Sequence, residues 1–139
     1  FDQGLGDLFV VRLAGNVIDT DIEGSIEYAV AHLQTKLLVV LGHEHCGAVT
    51  AAMEARERAE EQPFGIQRLL AQVEPVFQGI DPNLPKEVRL RLAIEANVRQ
   101  SVREILAFPN YQEAYQMHAF DVVGAVYELH TGKVRLLDL

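Results

Sequence analysis

The chain has 139 residues, 49% of them hydrophobic and 23% charged, with a formal net charge of −8 and one cysteine, Cys46. Residues 1–139 have the length of a single domain with one sizeable core, and the acidic balance argues against nucleic acid or an anionic membrane as partner. A lone cysteine excludes an internal disulfide framework and favours a reducing, cytoplasmic setting. No apolar run reaches transmembrane length. No signal peptide is visible, but a chain that opens on Phe1 gives that observation little weight.

In chain order, Leu8 to Leu13 is an apolar run closed by Ala14-Gly15-Asn16, which predicts a short strand. Asp19, Thr20 and Asp21 offer helix N-cap chemistry ahead of Ile22, Ile26, Ala29, Val30 and Leu33, an apolar stripe at helical spacing. Leu37 to Leu41 is an unbroken aliphatic run followed by Gly42. It predicts a strand buried on both faces, as in a parallel sheet.

Cys46 to Glu61, rich in Ala, Glu and Arg, reads as helix, and so do Phe64 to Phe77 and Glu87 to Phe108. Pro82 and Pro85 break the chain between the last two, with Pro85 placed where a helix can start. Ala119 to Leu129 and Lys133 to Leu137 flank His130-Thr131-Gly132 and predict a hairpin. The pattern is α/β.

Chemistry concentrates in Gly42-His43-Glu44-His45-Cys46-Gly47-Ala48, where a strand gives way to a helix. In open α/β sheets, ligands bind at the carboxyl ends of strands. His43 and Cys46 offer an imidazole nitrogen and a thiolate, donors that suit zinc, and their spacing lets both point into one small volume. Gly47 lets the backbone approach a ligand closely. His45 is expected to point away, and Glu44 to be solvated or paired. Taken alone, His-x-x-Cys is a weak signal, because a buried cysteine is usually a small hydrophobe and two donors do not complete a zinc site.

These segments together resemble the beta-class carbonic anhydrases along nearly the whole chain. Gly6-Asp7-Leu8-Phe9-Val10-Val11-Arg12 with Ala14-Gly15-Asn16 is similar to that family's second-strand motif, and Ser25 to Val30 to the helix after it. Gly42 to Val49 resembles its second zinc motif. Val123 to Leu129 and Thr131 to Asp138 resemble its final hairpin.

The resemblance implies an α/β fold: a mostly parallel sheet with an antiparallel C-terminal edge strand and helices on both faces. It implies reversible hydration of CO₂ to bicarbonate, a zinc cofactor, and assembly as a homodimer or a multiple of dimers. It assigns His43 and Cys46 as metal ligands and places Phe9, Tyr28 and Gly47 at the substrate pocket. His32, one helical turn after Tyr28, would pass protons; histidine is the side chain whose charge changes near neutral pH. Each has a plainer reading: Phe9 as a core residue, Tyr28 as a structural phenol, His32 as a surface histidine.

Two departures stand out. The family's Cys-x-Asp-x-Arg segment, which supplies its remaining cysteine ligand and an Asp–Arg pair, has no counterpart here, and Leu13 stands where the family usually has Asn. By resemblance, that segment follows a strand lying between those of Leu8 to Leu13 and Leu37 to Leu41. The expectation is therefore a longer native polypeptide that begins before Phe1. The competing expectation is a non-catalytic carbonic anhydrase-like module kept for assembly or interaction. A nucleotide-binding α/β domain is disfavoured, since there is neither Gly-x-Gly-x-x-Gly nor a Walker motif.

Overall fold

A computed structural model describes residues 1–58, 62–109, 111–112 and 119–139. Among the described residues three strands form one sheet in the order β1 (Leu37–His43), β2 (Asp121–Tyr127) and β3 (Val134–Leu137). β1 and β2 are parallel, from Leu37 opposite Asp121 to His43 opposite Tyr127. β3 returns antiparallel, pairing Gly124 with Leu137 and Tyr127 with Val134. This is the mixed α/β sheet with an antiparallel C-terminal edge that the resemblance implies.

The helices are α1 (Thr20–Leu33), α2 (Gly47–Arg58), α3 (Phe64–Val73) and α4 (Lys86–Ala107). Asp19 caps α1: its Oδ1 accepts from the Ile22 N–H at 2.9 Å, satisfying a donor the helix leaves unpaired. Pro75 marks the point where α3 tightens into a 3-10 turn over Glu74–Phe77, so the run Phe64 to Phe77 is a helix with a changed pitch. Pro85 caps α4 from outside the helix. Residues 59–61, the expected end of α2, lie outside the described residues. Among the described residues no helix is long and apolar enough to cross a membrane.

α4 builds the core. Ala93, Ile94, Asn97, Val98, Ser101, Val102 and Ile105 are buried, one continuous stripe at helical spacing. Val98 sits against the sheet where side chains are absent. A Cβ on Gly42 would lie 2.6 Å from Val98 Cγ2, and one on Gly124 would lie 2.9 Å from Val98 Cγ1. The paired strands thus carry glycine where the helix comes closest. Val40, Val122 and Val126 add their side chains to the same core. Each such fully buried aliphatic side chain contributes roughly 1.5–3 kcal/mol.

Polar contacts tie the helices together. Lys86 Nζ donates to Glu54 Oε1 at 2.8 Å and Arg89 Nη1 to Glu57 Oε1 at 2.6 Å, joining α4 to α2. The Lys86 ammonium holds the Glu54 carboxyl below the usual carboxylate range. At the other edge of α4, Glu95 accepts from Arg135 of β3 at 2.9 Å.

Two expectations are corrected. Leu8 to Leu13 is not a strand, and residues 1–14 are all exposed. Among the described residues the sheet ends at β1 and the run joins no ladder; apolar side chains alone do not satisfy a strand's backbone groups. β1 is also not buried on both faces. Val40 and Gly42 are buried on the α4 side, whereas Leu37, Leu41 and His43 on the alternate face are exposed, since no described element covers that face of the strand as α4 covers the other.

Candidate metal centre

His43 is the last residue of β1, and Cys46 immediately precedes α2. The ladder carries the chain to this point: beyond His43 opposite Tyr127, the Glu44 N–H donates to Tyr127 O at 3.1 Å. His45 then takes a left-handed backbone, φ 53°, and the chain turns into α2. The Cys46 carbonyl accepts from both the N–H and the hydroxyl of Thr50, each at 2.9 Å, which seats Cys46 at the head of the helix. Its side chain is buried against the core, and its thiol is free.

His43 Nδ1 lies 2.8 Å from the Glu44 carbonyl oxygen. A carbonyl only accepts, so Nδ1 carries the hydrogen and the neutral ring keeps an open lone pair on Nε2. Such a bond from the second ring nitrogen is what orients imidazoles that bind metals. Space lies nearby too: a Cβ on Gly47 would meet no atom within 4 Å.

The other expected site residues fall elsewhere. Tyr28 and His32 lie side by side on α1, their rings tilted by 42° with centroids 4.8 Å apart. They share a groove of about 430 Å³ with Glu27 and Tyr111. Phe9 is 47% exposed on the N-terminal segment; neither it nor Gly47 lines that groove. His45 is exposed and faces a second groove beside Arg91 and Glu128.

Two residues of structural weight around the site, Asn97 and Ser101, escaped the sequence reading. Asn97, buried on α4, donates from Nδ2 to the Gly15 carbonyl at 2.6 Å. Ser101 donates to Asn16 O at 2.7 Å and stands 3.0 Å from Asn16 Nδ2. Together they hold the Ala14–Asn16 turn against α2, where a Cβ on Gly15 would come within 3.2 Å of Ala48. The available signal was the pair of polar residues inside an apolar helical stripe. Glu44, expected to be solvated or paired, is paired: its Oε2 accepts from the Leu129 N–H at 2.8 Å.

A parallel strand pair that delivers a histidine at its carboxyl end and a buried cysteine at the head of the next helix defines an α/β domain with its chemistry at the strand edge. The carbonic anhydrase family model matches residues 1–134. Carbonic anhydrase of Mycolicibacterium smegmatis is 37% identical over 139 residues, covering 98% of this chain and 66% of that protein. Carbonic anhydrase 2 of Mycobacterium tuberculosis is 38% identical, with 99% of this chain and 66% of that protein covered. A tetrameric beta-carbonic anhydrase of the ascomycete Sordaria macrospora superposes with a TM-score of 0.84 at 25% identity, covering 98% of this chain and 71% of that one. The chain belongs to the carbonic anhydrase family, in its beta class. It spans just under two thirds of the length of these two mycobacterial relatives.

Zinc, the metal the resemblance implied, meets a partial fit. An imidazole with a free Nε2 and a thiol are donors zinc takes. Among the described residues, however, no group of three or more His, Cys, Asp or Glu side chains is arranged to hold a metal ion, and Cys46 is the chain's one cysteine. Two donors fall short of the three protein ligands a catalytic zinc keeps.

Proposed function

We propose that this chain is the greater part of a zinc-dependent carbonic anhydrase that interconverts CO₂ and bicarbonate. The observation that carries the reading is the open Nε2 of His43, at the end of β1 and three residues before a buried free thiol, in a chain matched by the family over residues 1–134. Bound zinc supplies a nucleophile from water at neutral pH. The chain's own part is to hold that ion with His43 and Cys46, and to leave space beside Gly47 for a small substrate.

Two donors alone retain zinc weakly. A working centre therefore needs a further donor besides His43 and Cys46. Phe9 and Tyr28 belong to the substrate pocket of the assembled protein, and His32 passes protons from it. The assembly is a homodimer or a multiple of dimers; the open edge of β1 and the exposed apolar side chains of Leu8, Phe9, Val10 and Leu37 support it. A reducing, cytoplasmic compartment keeps Cys46 available as a ligand.

Zinc content and CO₂ hydration, measured on the purified protein, test the reading. Cys46→Ser should abolish zinc retention and activity, whereas His45→Ala should change both little. Equal loss in the two variants would show that the ligands are misassigned. A well-folded protein that neither binds zinc nor hydrates CO₂ would leave the assembly module as the better account.

A further inference from the structure

Glu44 is tied down on three sides. Its N–H donates to Tyr127 O at 3.1 Å, extending the β1–β2 ladder past the last paired residues. Its side-chain Oε2 accepts from the Leu129 N–H at 2.8 Å, reaching across to the turn that joins β2 and β3. Its own carbonyl oxygen receives the hydrogen of His43 Nδ1 at 2.8 Å. The left-handed His45 follows at once, so the Glu44 peptide stands at a reversal of the chain.

We infer that Glu44 is a positioning residue for His43: its carboxylate, anchored on the Leu129 N–H, holds its peptide carbonyl against Nδ1 and keeps the ring in the tautomer with a free Nε2. The free side chain in water favours the opposite tautomer, so the protein must impose this one. Reach matters more than charge here. The anchoring bond needs an oxygen acceptor at the length of a glutamate side chain, and the donor is an uncharged backbone N–H. The consequence for zinc rests on the functional reading above; the tautomer is a property of the metal-free chain.

The experiment is nitrogen NMR of histidine-labelled, chelator-stripped protein at about pH 8.5, roughly two units above the ordinary imidazole value of about 6.5. The His43 signals are identified by their loss in His43→Gln. In the unsubstituted protein and in Glu44→Gln, whose amide oxygen reaches the same N–H, the Nδ1–H form should dominate. In Glu44→Ala, and in Glu44→Asp, which keeps the charge but is one methylene short, it should fall to a minority. Three results overturn the inference: an Nε2–H ring in the unsubstituted protein, an unchanged tautomer in both Glu44→Ala and Glu44→Asp, or a tautomer kept by Glu44→Asp and lost in Glu44→Gln. Absence of zinc binding or hydration with the tautomer as expected would instead overturn the functional reading and leave this one standing.

Discussion

Leu8 to Leu13 and Leu37 to Leu41 are alike as sequence, both short, largely apolar and closed by a turn-forming glycine region, yet only the second is a strand. Leu37–His43 has β2 on one edge, pairing residue by residue, and Val98 of α4 pressed against its glycine. Leu8 to Leu13 has neither, and Leu8, Phe9 and Val10 are exposed. An apolar run carries a propensity for the extended state, but the ladder and the covering helix decide whether it becomes a strand. The same lesson holds within β1, whose two faces differ because α4 lies on one of them.

The comparison breaks most sharply with paired truncations. Phe120, 1% exposed at the head of β2, should lose about 3–5 kcal/mol on replacement by Ala, the usual cost of emptying an aromatic site in a core. In a monomer Phe9→Ala should stay within about 0.5 kcal/mol, as substitutions on an uncovered surface do; in the proposed dimer its loss should be larger. Denaturant midpoints of the two variants check this. A Phe9→Ala loss comparable to that of Phe120→Ala would mean that another surface covers the N-terminal segment in solution, as the proposed dimer requires.

Alkaline titration examines the packed side from another direction. Tyr111 is 2% exposed, between Phe108 and Phe120, with its hydroxyl 3.3 Å from Glu23 O. Burial, with the nearby Glu27 and Glu23 charges, pushes its pKa up to about 12 from 10.0. A raised folded-state value gives stability that is full below pH 10 and is lost as pH climbs through 12. A rise of that size corresponds to about 2–3 kcal/mol. Thermal melts should therefore fall more steeply between pH 10 and 12 in the unsubstituted protein than in Tyr111→Phe. Parallel slopes would remove Tyr111 ionisation as the cause.

Much of this was readable from residue order. The N-cap chemistry around Asp19 to Asp21, the long amphipathic α4, the C-terminal hairpin and the strand at Leu37 to Leu41 each follow from local chemistry that the fold agrees with. What was not readable depends on partners distant in sequence. Gly42 looked like a terminator, but its absent side chain makes room for Val98, a residue far along the chain. Asn97 and Ser101 sit among valines and alanines and gain their meaning only from the Gly15 and Asn16 carbonyls they bond. At the candidate site, His43 and Cys46 could be nominated from spacing and resemblance. The role of Glu44 could not, because its acceptor contact to Leu129 spans most of the chain.

Gly42 offers a smaller and more local test of the packed side. Gly42→Ala places a methyl 2.6 Å from Val98 Cγ2, an overpacking that costs about 1–3 kcal/mol. Val98→Ala in the same chain removes the opposing methyls, so the double variant should be more stable than the sum of the two single losses. A double-mutant cycle by urea melts measures that coupling. Additive losses would show that α4 shifts as a body rather than clashing at this point.

The smallest expected effect lies at the boundary between the two regions, where α1 hands the chain to β1. Gln34 ends the helix with φ 56° and ψ 35°, and its N–H and that of Thr35 both bond the Ala29 carbonyl, the second at 3.2 Å. Left-handed backbone costs an L-residue with a Cβ roughly 1–2 kcal/mol, whereas glycine enters it freely and is the usual residue at such helix ends. Against that gain stands the greater chain entropy glycine loses on folding, about 0.5–1 kcal/mol. Gln34 is exposed, so little packing is forfeited. Gln34→Gly should therefore stabilise the protein by a few tenths up to about 1 kcal/mol, visible as a small rise in Tm. A fall in Tm would mean that the Gln34 side chain holds contacts in the assembled protein, and would place the end of α1 at a subunit boundary.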